Sequence, residues 1–256
     1  MIQTNYAKMH QADPTRPVLL NLGQAVAWDD YIGRGVRRNH PEDYPEYVKG
    51  CDIASFDIYP VVHDSKEIAG KLEYVARGVQ RLREWSKGKV VWNCIECTHI
   101  SNTNAMATPD QIRAEVWMSI IHGSRGLIYF VHQFQPNFKE AALLDQPETL
   151  AAVTRINAEV QSLAPVIHAA KGSVQSASFS EDAPVATLYS ELNGTNYIFA
   201  VCMRNASMPA TFGAAGLRSA VVEVIGEDRS IAIDDGVLHD QFSPYAVHLY
   251  RWKPVN

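Results

Sequence analysis

Glu96 closes the apolar run Lys89-Val-Val-Trp-Asn-Cys-Ile-Glu96. A carboxyl at the tip of a buried strand is costly to desolvate unless it is paired or used, so Glu96 is a candidate catalytic carboxylate. Three further apolar runs also end in polar groups: Asn21 after Val18 to Leu22, Asp57 and Tyr59 at the end of Ile53 to Ile58, and His132 and Gln133 after Leu127 to Val131. Four strand ends that bring together carboxyls, a phenol and an imidazole can form one site for acid–base or nucleophilic chemistry. A long polar loop from Gln24 to Gly50 adds Trp28, Asp29, Asp30, Tyr31, His40, Glu42, Asp43 and Tyr44. Long loops inside compact domains tend to be functional. Trp28 and Asp30 are its candidate substrate contacts, and His99, three residues after Glu96, is a third. The structural alternatives stay open: Glu96 paired with a cation, Tyr59 packing a rim, Trp28 in the core, and Asp57 facing inward or capping a helix.

These groups need elements to hold them. Ile2 to Gln11 reads as a short helix stopped by Pro14 and Pro17. Buried strands follow at Val18–Leu22, Ile53–Ile58, Lys89–Glu96 and Leu127–Val131. Between them, Ile68 to Lys87 carries Leu72, Val75, Val79 and Leu82 on one helical stripe. A second helix opens at Thr108-Pro109-Asp110-Gln111, with Thr108 as N-cap, and runs to His122. A third spans about Pro147 to Ala170. Buried strands alternating with helices or long loops predict parallel β/α units, whose function sits at the carboxyl ends of the strands.

From Gly172 onward short strands are separated by turn residues. They are Val185–Tyr189, Tyr197–Arg204, Ala220–Ile225 and Ala246–Trp252, with turns at Asn193-Gly194 and Asp234-Asp235-Gly236. That grammar predicts a small antiparallel sandwich. The chain therefore divides into residues 1–171 and 172–256. The fold class is α/β, a partial barrel of about four β/α units followed by the sandwich.

Composition narrows the chemistry. The 256 residues carry a formal net charge of −5, which offers no basic surface for nucleic acid or an acidic membrane. No apolar run approaches spanning length, and the N-terminus lacks an apolar signal core, so the chain as encoded reads as cytoplasmic. Four cysteines make no disulfide framework. Cys94-Ile-Glu-Cys97 ends a strand rather than opening a helix, and no second pair completes a zinc site. The single Glu96-x-x-His99 pattern does not make a di-iron site. His122-Gly-Ser-Arg-Gly126 lacks the spacing of a serine-hydrolase elbow, and there is no phosphate-binding loop. Neither a metal nor a cofactor is expected.

The stretches Asp13-Pro-Thr-Arg-Pro-Val18, Asp57-Ile-Tyr-Pro60, Glu96 and Gly126-Leu-Ile-Tyr-Phe130 resemble the latter half of retaining glycoside hydrolases with a (β/α)8 barrel, the clan of the cellulases and β-galactosidases. Within that resemblance the four strands correspond to strands five to eight. Asn157-Ala-Glu-Val-Gln-Ser-Leu-Ala-Pro165 is similar to part of the last barrel helix, and the sandwich is similar to the family's accessory domain. The resemblance implies that Glu96 is the nucleophile and that Tyr59 hydrogen-bonds it. It also implies that His132 or Gln133 stands at the last strand end, where such enzymes often place a tryptophan against the sugar. Two departures follow. No tryptophan occupies that end, and the Asn-Glu pair that supplies the family's acid/base residue occurs nowhere in the chain. Asp29, Asp30, Glu42, Asp43 and Asp57 are the carboxyls that could stand in, unless a second subunit lines the cleft. The expected partner is a carbohydrate. A four-stranded half barrel leaves open edges that invite another chain, which predicts a homodimer or larger assembly. The alternative is a carbohydrate-binding relic without catalysis.

Overall fold

The computed structural model describes residues 1–31, 39–172, 185–213, 217, 221–233 and 236–254. In chain order the elements are α1 (Ile2–Ala12), β1 (Leu19–Asn21), the single turn α2 (Tyr44–Tyr47), β2 (Ile53–Phe56), α3 (Glu73–Ser86), β3 (Val90–Glu96), α4 (Pro109–His122) and β4 (Gly126–Phe130). They continue with α5 (Pro147–His168), β5 (Ala170–Gly172), β6 (Val185–Leu192), β7 (Thr195–Cys202), β8 (Met208–Gly213), β9 (Val221–Val224), β10 (Arg229–Ala232), β11 (Val237–Phe242) and β12 (Val247–Trp252). Two compact units result: Met1–Ala107 with His122–Ala142, and Thr108–Ile121 with Leu143–Asn256. The fold is a partial β/α barrel together with an antiparallel, sandwich-like region.

In the first unit β1, β2, β3 and β4 pair in that order, all parallel. Parallel pairing puts every carboxyl end on the same edge of the sheet. Behind β2, α3 buries Val75, Val79 and Leu82 in a core with Phe56, Ile58 and Val91. Gly78 sets how closely that helix approaches, because a Cβ there would lie 2.2 Å from the Phe56 ring. The helix is shorter than the Ile68–Lys87 expected. Residues before Glu73 form turns in which the Gly70 N–H donates to Pro60 O, and Lys87 ends the helix in a left-handed conformation (φ 50°). β1 also departs from expectation. It is an edge strand with Leu19 39% exposed rather than a buried one, because β2 is its one strand partner among the described residues.

α1 buries no residue and is held by polar ties. Ile2, Tyr6 and His10 share one stripe at successive i, i+4 positions. The Tyr6 hydroxyl donates to Asp52 Oδ1 at 2.7 Å, His10 Nε2 lies 3.0 Å from Asp52 Oδ2, and the Val18 N–H donates to the same oxygen at 2.7 Å. Asp52 thus joins the helix, the start of β1 and the start of β2.

In the second unit α4 begins with the expected cap, and the box is reciprocal. Gln111 N–H donates to Thr108 Oγ1, and Thr108 N–H donates to Gln111 Oε1. Arg113 of α4 grips Glu159 of α5 through Nε and Nη2, and donates from Nη1 to Val247 O. The strands form a six-stranded sheet ordered β10-β9-β12-β7-β6-β5 and a two-stranded sheet of β11 and β8. Their core includes Phe212, Phe242, Tyr250 and Trp252. Asn193 and Gly194 make the two-residue hairpin between β6 and β7, both at positive φ. Strands β5, β8, β10 and β11 were not expected, and the expected turn residues Asp234 and Asp235 lie outside the described residues. No helix among the described residues is long and apolar enough to cross a membrane.

The Val18 N–H first, then the Tyr6 hydroxyl, hold the Asp52 carboxyl at about 2, below its ordinary range. A carboxyl depressed by folding binds fewer protons folded than unfolded. Its stabilisation is therefore complete above about pH 4, the unfolded value, and is lost as pH falls toward 2. Asp52→Asn should lower the thermal midpoint at pH 7 by a few degrees and flatten its fall between pH 4 and 2. An unchanged midpoint would show that the tie contributes nothing.

Candidate active site

The site begins with the register of the parallel sheet. Asn21 pairs with Ser55, Phe56 with Asn93, and Glu96 with Phe130, so the residues that follow these positions emerge at one edge. Glu96 is fully buried there. Its charge is met by main chain: Oε1 accepts the Val61 N–H at 2.7 Å and Oε2 accepts the Val62 N–H at 3.0 Å. Hydrogen bonds to a carboxylate offset the desolvation that burial imposes. Val61 and Val62 belong to the turn after β2, so Glu96 ties the end of β3 to a strap leaving β2.

Other residues hold that strap in place. The Asn102 side chain donates to Val62 O at 3.1 Å, and His99 Nδ1 lies 2.7 Å from Ala105 O within the same loop. On the other side His63 meets Gln24 Oε1 at 2.9 Å, accepts the Ser65 N–H, and stands edge-on to the Trp28 ring at 5.4 Å between centroids. Trp28 therefore buttresses the strap through His63, and His99 fixes the loop whose Asn102 reaches it. Asp30 is exposed beside them.

Tyr59 comes just before the strap, its ring 5.1 Å from Phe130. Burial raises its hydroxyl well above the usual phenol range, with Cys94, Asp57 and Glu96 adding to the effect, so it remains a proton-bearing donor at neutral pH. Its hydroxyl hydrogen-bonds the Cys94 thiol. Cys94 lies two residues before Glu96, on the same face of β3. Burial pushes that thiol up to about 11, and Asp57 adds to it, so it is no thiolate near neutral pH. Asp57 accepts a hydrogen bond from the Asn21 side chain at 2.7 Å. The structure thus gathers Asn21, Asp57, Tyr59, Cys94 and Glu96 into one polar cluster.

Of the other expected carboxyls, Asp29 is opposed by burial but lowered overall by Arg81 and Arg77. Glu42 is lowered by the His40 imidazole, and Asp43 accepts the Tyr47 hydroxyl. Asp29 is thus tied to α3, and Glu42 and Asp43 are engaged within their own loop.

The loop after β4 supplies a feature that sequence reasoning did not single out. Gln133 pairs with Lys139 through both backbone groups, and its side chain donates to Asn137 O, closing the loop. Thr98 Oγ1 donates to His132 O, while Phe134 and Gln135 N–H groups both point at Ile100 O. Ile100 itself sits at φ 53°, a strained state for a β-branched residue. The result is an aromatic surface. Phe134 and Phe138 are exposed, and the His132 ring lies between Phe130 at 5.4 Å and Phe138 at 6.3 Å. His132 Nδ1 is buried without a hydrogen-bond partner among the described residues. Exposed aromatic rings grouped in this way mark a contact surface. The only sequence signal was two phenylalanines within eight residues of a strand end.

Parallel strands whose carboxyl ends converge on buried and half-buried polar groups are the layout of a β/α-barrel site. The family described as beta-galactosidase, glycoside hydrolase family 42, matches residues 1–166, and the chain belongs to it. Curated protein sequences give no match. Among solved structures, the apo exo-carrageenase of family 42 from Bacteroides ovatus is similar with a TM-score of 0.63, at 10% identity over 99% of this chain and 56% of that one. The alpha-amylase from Geobacillus thermoleovorans, complexed with acarbose, gives 0.60 at 12% identity over 100% of this chain and 57% of that one. This chain spans less than two thirds of either structure, and the likeness concerns the fold.

Proposed function

We propose that the protein is a retaining β-glycosidase acting on galactose-containing or plant-type oligosaccharides, with Glu96 as nucleophile. The observation that carries this reading is a fully buried glutamate at the carboxyl end of β3, oriented by two backbone N–H groups. A nucleophile fixed from behind loses little freedom when the sugar arrives. In the proposed reaction a Glu96 oxygen bonds to the anomeric carbon while the bond to the aglycone oxygen breaks. A carboxylic acid protonates the departing oxygen, and water then hydrolyses the glycosyl ester. In the proposal Tyr59, held protonated and bonded to Cys94 in this structure, exchanges that partner for the Glu96 carboxylate when the sugar binds and so steadies it. Asp57 is the proposed second carboxyl, because it stands at the strand ends beside Tyr59 and Cys94 while Asp29, Glu42 and Asp43 are occupied elsewhere. Such a pair works at a separation of about 5–5.5 Å. Trp28, Asp30, His99, His132 and Gln133 are the proposed substrate-side residues, joined by Phe134 and Phe138, whose rings suit the apolar face of a pyranose.

Residues 1–171 carry this chemistry in the proposal, and residues 172–256 form the accessory domain. All four cysteines are free thiols, in keeping with a cytoplasmic setting. One observation favours a second reading, carbohydrate binding without turnover: Glu96 is buried with both oxygens already engaged, whereas the exposed surface is aromatic.

Turnover of aryl β-glycosides separates the two readings. Wild type should turn over, and Glu96→Ala should lose at least roughly 10⁴-fold in kcat while remaining folded. Azide should restore part of that rate by attacking in place of the carboxylate. Equal rates in both proteins would exclude Glu96 as nucleophile. We further infer a homodimer or larger assembly through the edges of β1 and β4. Light scattering at micromolar concentration should give a mass at least twice the 28.5 kDa of one chain, and a monomer would contradict the inference.

A further inference from the structure

The second unit contains a cavity of about 290 Å³, near the lower end of the roughly 300–1,000 Å³ typical of small-molecule sites. It lies between the first turn of α4, the middle of α5 and the turn joining β9 to β10. Its polar walls are Asp110, Arg113, Arg155, Glu159 and Glu227, and Ile156 and Ile225 supply apolar surface.

Both glutamates are fixed from behind. Glu159 Oε1 accepts the Trp117 indole N–H at 2.8 Å and Arg113 Nε at 3.1 Å, and its Oε2 accepts Arg113 Nη2 at 2.9 Å. Glu227 Oε2 accepts Arg229 Nε at 2.7 Å, and its Oε1 is in hydrogen-bond contact with His248 Nδ1. Each carboxylate oxygen has two acceptor positions. One therefore remains on Glu159 Oε2 and one on each oxygen of Glu227. Arg155 is exposed and makes no ion pair or hydrogen bond among the described residues, so its donors are available.

This inventory selects a ligand by its chemistry. The glutamates already have arginine partners and Asp110 is exposed to water, which weakens their joint pull on a cation. An anion would meet carboxylates on two walls. A neutral polyol meets neither obstacle: vicinal hydroxyls can donate to fixed carboxylate oxygens and accept from the guanidinium, while ring C–H groups rest on isoleucine. We propose that this cavity binds a neutral saccharide of one or two rings, at a site with its own residues in the second unit and independent of the role given to Glu96.

The test titrates ¹⁵N-labelled full-length protein with methyl 1-thio-β-galactoside, whose sulfur link resists hydrolysis, into the tens of millimolar, for wild type and Arg155→Ala. Arg155 is exposed and takes no part in the anchoring network, so the variant should keep its fold and its spectrum. The proposal predicts saturable shifts of the Gly226 and Glu227 amides in wild type and at least fivefold weaker binding in the variant. Such shifts with silent Val61, Val62 and Glu96 amides would support this site while counting against the strand-end one. Shifts confined to Val61, Val62 and Glu96 would overturn the proposal and leave the glycosidase reading standing. Equal affinity in the two proteins would also overturn it.

Discussion

Everything at the strand-end site depends on the grip of two main-chain N–H groups on the Glu96 carboxylate. A charged side chain without such partners would be expelled from this environment or would distort it. With them, the end of β3 and the strap after β2 become one piece. The same tie sets where Tyr59 stands, because Tyr59 enters the strap through Pro60. Asn102 and the Trp28–His63 contact brace the strap from opposite sides. Residues that look like substrate contacts in the sequence thus have a structural duty in this fold. That duty is compatible with the proposed one, since a group that braces the strap also stands near the strand ends.

The polar ends of the four strands were legible because a parallel sheet turns sequence order into spatial order. Apolar runs ending at Asn21, Asp57, Glu96 and His132 need only pair in register to converge. The strap was not legible, because Val61 and Val62 act through backbone N–H groups that their side chains do not advertise. Phe134 and Phe138 were passed over for a related reason: loop closure by Gln133 and Lys139 determines that they are exposed, and loop closure leaves no periodic trace. α3 is shorter than its apolar stripe implies, since the spacing from Leu72 to Leu82 says nothing about the turns that precede Glu73. In the C-terminal region β8, with Pro209 and Gly213, does not read as a strand. It pairs with β11 alone in its sheet, where proline is tolerated.

The second unit is built on a different economy of interactions. Arg113, Glu159, Trp117 and Val247 join two helices to a strand through a few charge-assisted bonds. Glu227, Arg229, Asp240, His248 and Tyr250 do the same among the strands. The same networks hold Glu159 and Glu227, which line the cavity. A structural network and a binding surface can therefore share the same atoms.

The most direct measurement is the site of covalent labelling by an activated β-galactoside whose sugar bears fluorine beside the anomeric carbon, which slows breakdown of the glycosyl ester. The account predicts a stoichiometric mass increase, with the ester mapped by peptide fragmentation to Glu96 and abolished in Glu96→Ala. Label on another carboxyl, or an unmodified protein after prolonged incubation, would contradict it.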